Sequence, residues 1–291
     1  MKEKMIRPAA GQDTFFQKEE LAHPFVRPFI AMQSKKAALS FLIIAAILYV
    51  AMIAVNALAN ILPLNGVTTG AVSDEQFNLF APAGLTFSIW GVIYLLLGVY
   101  LVREFRRINT NPALVTTKVA VKVNLWFAVS SLANALWIFT WHFRKFGLSV
   151  LLMAVILVAL VAISTSFPRL DAIPKVAFGV YFAWITVAMI ANVTTWLVSL
   201  GVPNLTAGAT LLMIIVLYVG LGIAVAVLLI QKNLAYGLVI LWAFIGILVR
   251  HLDSALLAGE YPTIITTLWI AIAAITAAEG FTVYRLVQER Y

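Results

Sequence analysis

The polar residues of this chain gather in clusters, and between the clusters run eight stretches of nearly unbroken apolar sequence. The stretches lie at about 37–62, 83–102, 119–142, 148–167, 174–200, 207–230, 234–250 and 262–284. Each approaches the roughly 20 residues that a helix needs to cross about 30 Å of hydrocarbon. The pattern predicts an all-α membrane protein, a polytopic helical bundle of about eight transmembrane helices.

The breaks between the stretches carry their own information. Residues 1–36 hold seven Lys/Arg and four Asp/Glu, with Pro8, Pro24 and Pro28 set to interrupt any long helix. They read as a solvated or membrane-surface tail, with Phe16, Phe25 and Phe29 of the Phe15 to Met32 stretch facing the interface. Ala57-Leu58-Ala59 resembles a signal cleavage site, but the apolar run is too long and its leader too extended, so the first stretch is read as a span. The connection from Pro63 to Pro82 lacks Lys and Arg, carries Asp74 and Glu75, and is rich in turn-forming Asn-Gly and Thr-Thr-Gly. It is expected to fold over the mouth of the bundle, as a lid or as a plain surface loop.

Composition closes off the soluble reading: 63% hydrophobic residues, 11% charged and a mean hydropathy of +1.00 leave more apolar surface than a soluble fold hides. The net charge of +8 comes with no nucleic-acid motif, so nucleic acid is not the expected partner. The charge is a matter of orientation instead. Seventeen Lys/Arg fall on one face of the predicted topology, and Arg144, Lys145 and Arg250 on the other. Positively charged short loops stay inside, so both termini are expected in the cytoplasm of a cell membrane. With no cysteine, thiolate chemistry and Cys-based metal sites are excluded. His23, His142 and His251 are far apart in sequence and lack metal-ligand spacing.

No ionisable residue falls near a helix centre, which argues against charged relays. Glu279 is the deepest, within reach of Arg285 or the headgroups. A Walker A loop, a GxSxG elbow, a kinase signature and paired intramembrane carboxylates are all missing, so an enzymatic reading has no support from motifs. What remains is tryptophan and asparagine. Interfacial belts and interhelical hydrogen bonds account for Trp141, Trp196, Trp269 and Asn60, which lie close to helix ends. Trp90, Asn134, Trp137 and Asn192 fit that account less well. At 1.5 Å per helical residue they lie about 10, 12, 8 and 12 Å from the same side, on three helices. Tyr94 and Trp184 continue the level downward. Such a layer either lines a pocket for a flat, apolar ligand or holds helices together.

Three motifs occur in order on these helices. Pro82, Trp90, Tyr94 and Gly98 form the first, Asn134-Ala-Leu-Trp137 the second, and Tyr181-Phe-Ala-Trp184 with Ala188 and Asn192 the third. With them, residues 37–200 resemble the five-helix tryptophan-rich sensory protein family (TspO/MBR), also called the translocator protein or peripheral benzodiazepine receptor family. Ala81 replaces one of its paired prolines, Gly84 a tryptophan and Val180 a proline. The resemblance implies a five-helix unit over 37–200; it does not extend to the three additional helices in 201–291 or the cytoplasmic tail over 1–36, which rest on the apolar pattern and the charges. It also implies a ligand pocket at Trp90, Tyr94, Asn134, Trp137, Trp184 and Asn192. The ligand class is hydrophobic or tetrapyrrole, porphyrin or haem among them, bound for sensing or transport; no cofactor is required. The implied partners are the lipid bilayer, the small ligand and a second copy in a homodimer. Two other readings stay open: a secondary transporter or permease subunit using all eight helices, and a porphyrin-modifying enzyme.

Overall fold

The computed structural model describes residues 26–110 and 117–289, with residues 26–34 described by their backbone. Nine α-helices occur among the described residues: α1 (Val26–Ile61), α2 (Thr69–Glu75), α3 (Ile89–Thr110), α4 (Thr117–His142), α5 (Phe146–Ser164), α6 (Ala172–Ser199), α7 (Ala207–Gln231), α8 (Leu234–Leu252) and α9 (Pro262–Gln288). All but α2 are long and apolar enough to cross a membrane, which makes this a multi-pass membrane protein with eight spans. The apolar stretches of the sequence match these spans closely. The first differs at its start, because α1 begins at Val26 rather than near residue 37. Pro28 lies in the first turn of that helix, where backbone N–H groups have no intrahelical acceptor, so it does not break it. Most of the expected interfacial stretch from Phe15 to Met32 lies outside the described residues.

The first five spans close into a ring. α1 packs against α4, α4 against α5, α5 against α6, α6 against α3, and α3 returns to α1. The last three spans lie outside it: α8 packs on α6, and α7 and α9 pack on α8 and on each other. Short links force this arrangement. Thr206 caps α7 by accepting from Ala209 N, and Lys232 ends it in the left-handed region at φ 49°, so α8 turns straight back.

Contacts between loops sort them onto two faces. Arg103 meets Asp171 at 2.9 Å, Lys122 meets Thr165, Asn233 donates to Lys175 O and Lys232 pairs with Glu289, all on what we term the basic face. On the opposite, loop face, the connection between the first two spans is tied down along its length. Asn65 donates to His142 O, Trp141 Nε1 to Thr69 O, and Arg144 grips Glu75 through two bonds of 2.6 and 2.7 Å. Asn78, buried, turns the chain by accepting from Phe80 N and Ala81 N. Arg250 meets Asp74 at 3.0 Å and lies 4.8 Å above the Phe77 ring, while His251 Nε2 meets Leu79 O at 3.0 Å. The loop is therefore a clasp joining the ring to the last three helices. Arg250 and His251 belong to this clasp.

Glu279 does not meet Arg285. Arg285 is 3.7 Å from Glu289 instead, and the Glu279 carboxyl packs against the backbone of Gly237, where any Cβ would overlap it.

Candidate functional site

The site is built outward from the start of α3. After Pro82 the chain does not leave the bundle but enters it, because Ala83 N donates to Gly246 O at 2.9 Å. Gly246 is required here. A Cβ at that position would overlap the Thr86 side chain, and its absence lets the turn Gly84–Ser88 lie on α8. Trp242 Nε1 donates to Thr86 O at 2.9 Å and fixes the turn. α3 thus starts with Trp90 already at the depth of the ring's interior.

There the rings pack in a ladder. Trp90 stacks on Tyr94, one helical turn away, with centroids 5.6 Å apart and planes 27° apart. Trp137 follows at 6.3 Å and 30° from Trp90, and Trp141 at 5.5 Å and 27° from Trp137. Tyr181 and Trp184 of α6 present their edges to Trp90 at 6.2 and 6.3 Å. These are the offset and edge-on geometries that aromatic quadrupoles favour.

Amides tie the ladder to the other helices. Asn134, fully buried, accepts from Asn56 Nδ2 at 3.0 Å and donates to Tyr181 Oη at 3.2 Å, joining α1, α4 and α6. Asn192 Oδ1 accepts from Trp137 Nε1 at 3.2 Å and from the Ser149 hydroxyl, while its Nδ2 donates to Ala188 O, joining α4, α5 and α6. With Trp90 and Tyr94 from α3, every helix of the ring contributes. In hydrocarbon an unpaired amide is costly, so this network also specifies the packing of the ring.

All six residues expected from sequence come together. Two of them end without partners: the Tyr94 hydroxyl and the Trp184 Nε1 are buried and make no hydrogen bond among the described residues. Both flank Trp90, which is itself only half-buried. The rings pack against one another, so the layer is closed in this conformation.

Sequence reasoning did not single out Asn56, Tyr181 and Ser149 as members of the layer. Asn56 and Tyr181 carried usable signals, an amide within the first apolar stretch and the first position of the third motif. Ser149, near the start of an otherwise aliphatic helix, carried none. Among the described residues no group of three or more His, Asp or Glu could hold a metal.

Two grooves open on the surface of the bundle. One, about 440 Å³, is an apolar seam between α3, α6 and α8, lined by Val92, Val180, Leu238 and Trp242. The other, about 550 Å³, lies between α1, α3 and the start of α6.

A family model described as TSPO-like protein matches residues 42–281. The match runs from within the first span into the last, so the three helices outside the ring are part of the matched region. No curated protein and no solved structure gives a match.

Proposed function

Because the chain belongs to the TSPO-like protein family, we propose that it binds a small hydrophobic or tetrapyrrole ligand in the layer around Trp90, for sensing or transport in a cell membrane. The observation that carries the reading is the pair of buried donors, Tyr94 Oη and Trp184 Nε1, left without acceptors on either side of a half-buried indole. Buried donors are normally satisfied, and a ligand carboxylate or carbonyl would satisfy these. The ligand enters by displacing the Trp90 ring and is then held between aromatic faces. Porphyrins and haem, flat and carboxylated, have the required chemistry. The distribution of Lys and Arg, seventeen against three, supports a cytoplasmic basic face.

A permease using all eight helices has weaker support. The ring contacts and hydrogen bonds described for the layer run among α1, α3, α4, α5 and α6, and α8 meets the ring from outside, at α6 through the Phe182–Tyr236 contact at 5.3 Å and at the turn before α3 through Trp242 and Gly246.

The test is a tryptophan-fluorescence titration with protoporphyrin and haem on the wild type, Tyr94→Phe, Trp184→Phe and Trp90→Phe. Tyr94→Phe and Trp184→Phe remove an unpaired donor without opening a cavity as large as a residue, so both should stay folded. Saturable quenching weakened about fivefold or more by each, the value of one ordinary hydrogen bond, supports the site. Quenching that is absent, or indifferent to all three substitutions, overturns it.

A further inference from the structure

The second groove lies away from the aromatic layer, in the half of the bundle next to the basic face. Its walls are Tyr49 of α1, Leu95, Val99 and Val102 of α3, and Ile173 at the start of α6. Tyr49 closes its upper end. The Tyr49 hydroxyl donates to Tyr94 O at 2.6 Å, and Gly98 leaves it room, since a Cβ there would lie 2.7 Å from that oxygen. Below this crossing the groove is apolar and opens sideways toward lipid, with Leu95, Val99 and Val102 all exposed.

Its lower end is cationic. Arg103 and Arg106 line it. The two carboxylates nearest Arg103 and Arg107 are already engaged. Buried Glu104 takes two hydrogen bonds of 3.0 Å from Arg107, and Asp171 meets Arg103 at 2.9 Å and Arg107 at 3.9 Å. Arg106 is exposed and has no ion-pair partner among the described residues. The excess positive charge is therefore on the residue that stands at the groove's mouth.

The dimensions fit one class of molecule. From Leu95 to Arg106 is eleven helical residues, about 16 Å, and one leaflet of hydrocarbon is about 15 Å thick. An apolar trough one leaflet deep, open to the bilayer and ending in an unpaired guanidinium at headgroup level, matches an acyl chain joined to a phosphate. We propose that this groove is a binding site for an anionic phospholipid of the leaflet on the basic face. One acyl chain lies along Leu95, Val99 and Val102, and the headgroup phosphate is bound by Arg106 with Arg103 beside it. Arginine suits the role because its planar fork bonds phosphate through two N–H groups. This site is independent of the Trp90 ligand site and stands or falls separately.

The experiment uses the full chain in neutral detergent, followed by native mass spectrometry and thermal unfolding. The probes are phosphatidylglycerol, phosphatidylcholine of the same chains, and inorganic phosphate. Phosphatidylglycerol should bind at one saturable site and raise Tm, while phosphatidylcholine and inorganic phosphate should not. Arg106→Gln should weaken phosphatidylglycerol about fivefold, one basic residue's contribution at a membrane surface. Val99→Trp, which fills the trough and keeps every charge, should remove the preference. Lys118→Gln, on the same face outside the groove, should leave it unchanged. The proposal is overturned if inorganic phosphate competes fully, if Val99→Trp binds like wild type, or if Lys118→Gln weakens binding as much as Arg106→Gln does.

Discussion

The ring and the three helices outside it are equally apolar in sequence but are held together by different forces. Inside the ring, Asn56, Asn134, Asn192, Ser149 and Tyr181 bond across helices. On α7 and α9 the buried residues are mostly aliphatic, Met213, Leu217, Ala224 and Leu228 on the one and Ile264, Leu268, Ala271 and Ile275 on the other, and the buried Thr267 and Thr282 of α9 bond within their own helix. In lipid such surfaces gain little by leaving their solvent, so packing alone gives weak association. Burial follows position in the bundle and cuts across this division. In their most apolar stretches 61% of residues are buried in α4, α6 and α8, the helices with neighbours on most sides, against 22% in α1 of the ring, 22% in α7 and 28% in α9. Polar groups are thus spent where one arrangement must be specified, and the outer unit is secured by its clasp to the first loop.

The comparison breaks most sharply at Gly246. Gly246→Val drives a side chain into Thr86 and unseats the start of α3 from α8, so it should cost about 2–3 kcal/mol, as overpacking does. The loss should appear as a fall in Tm in detergent. If Gly246→Val unfolds like wild type, the two units do not depend on this contact.

Within the ring, Asn134→Leu deprives Asn56 and Tyr181 of their shared partner and should cost about 1–2 kcal/mol. A leucine placed at Thr276, exposed on α9, should be neutral by the same measurement. Equal losses would mean that the amide network is not what sets the ring apart.

The number and limits of the spans were legible in the sequence because bilayer thickness fixes helix length and polar clusters mark the ends. The layer was legible by depth, since on antiparallel helices of known ends a residue count converts to height. Rotation about each helix axis was not. Asn56 was not among the residues placed by depth, and its meeting with Asn134 depends on how α1 is turned, as does the difference between Trp90, which lies in the layer, and Trp242, which bonds Thr86, on the turn of their own helices. The clasp was hidden for another reason. Arg250 and Asp74 are separated by 176 residues, and their meeting depends on where α8 docks, which no local pattern encodes. The same holds for Glu279, which sequence placed near Arg285 by helical spacing and which instead turns toward Gly237.

That residue gives the next test. One oxygen of Glu279 is buried without a hydrogen-bond partner among the described residues, the counterpart in the outer unit of the satisfied amides in the ring. Glu279→Gln keeps the shape and removes the charge, so it should raise stability by up to about 1 kcal/mol. A fall in Tm would show that the carboxylate has a partner that the described contacts do not include.

The smallest effect belongs to the clasp's surface. Arg144 hydrogen-bonds Glu75 twice and holds its carboxyl below the ordinary glutamate value of 4.5. A carboxyl with a lowered folded-state pKa stabilises the protein above its unfolded value, and the contribution disappears as pH falls through the folded one. Both groups are largely solvated, so the effect is modest and screened by salt. The difference in Tm between wild type and Glu75→Gln should be constant from pH 8 to about 5, shrink below 4.5 and vanish once the wild-type carboxyl is protonated. High salt should shrink it at every pH. A difference that persists at low pH would assign the role of Glu75 to shape in the turn after α2 rather than to its charge.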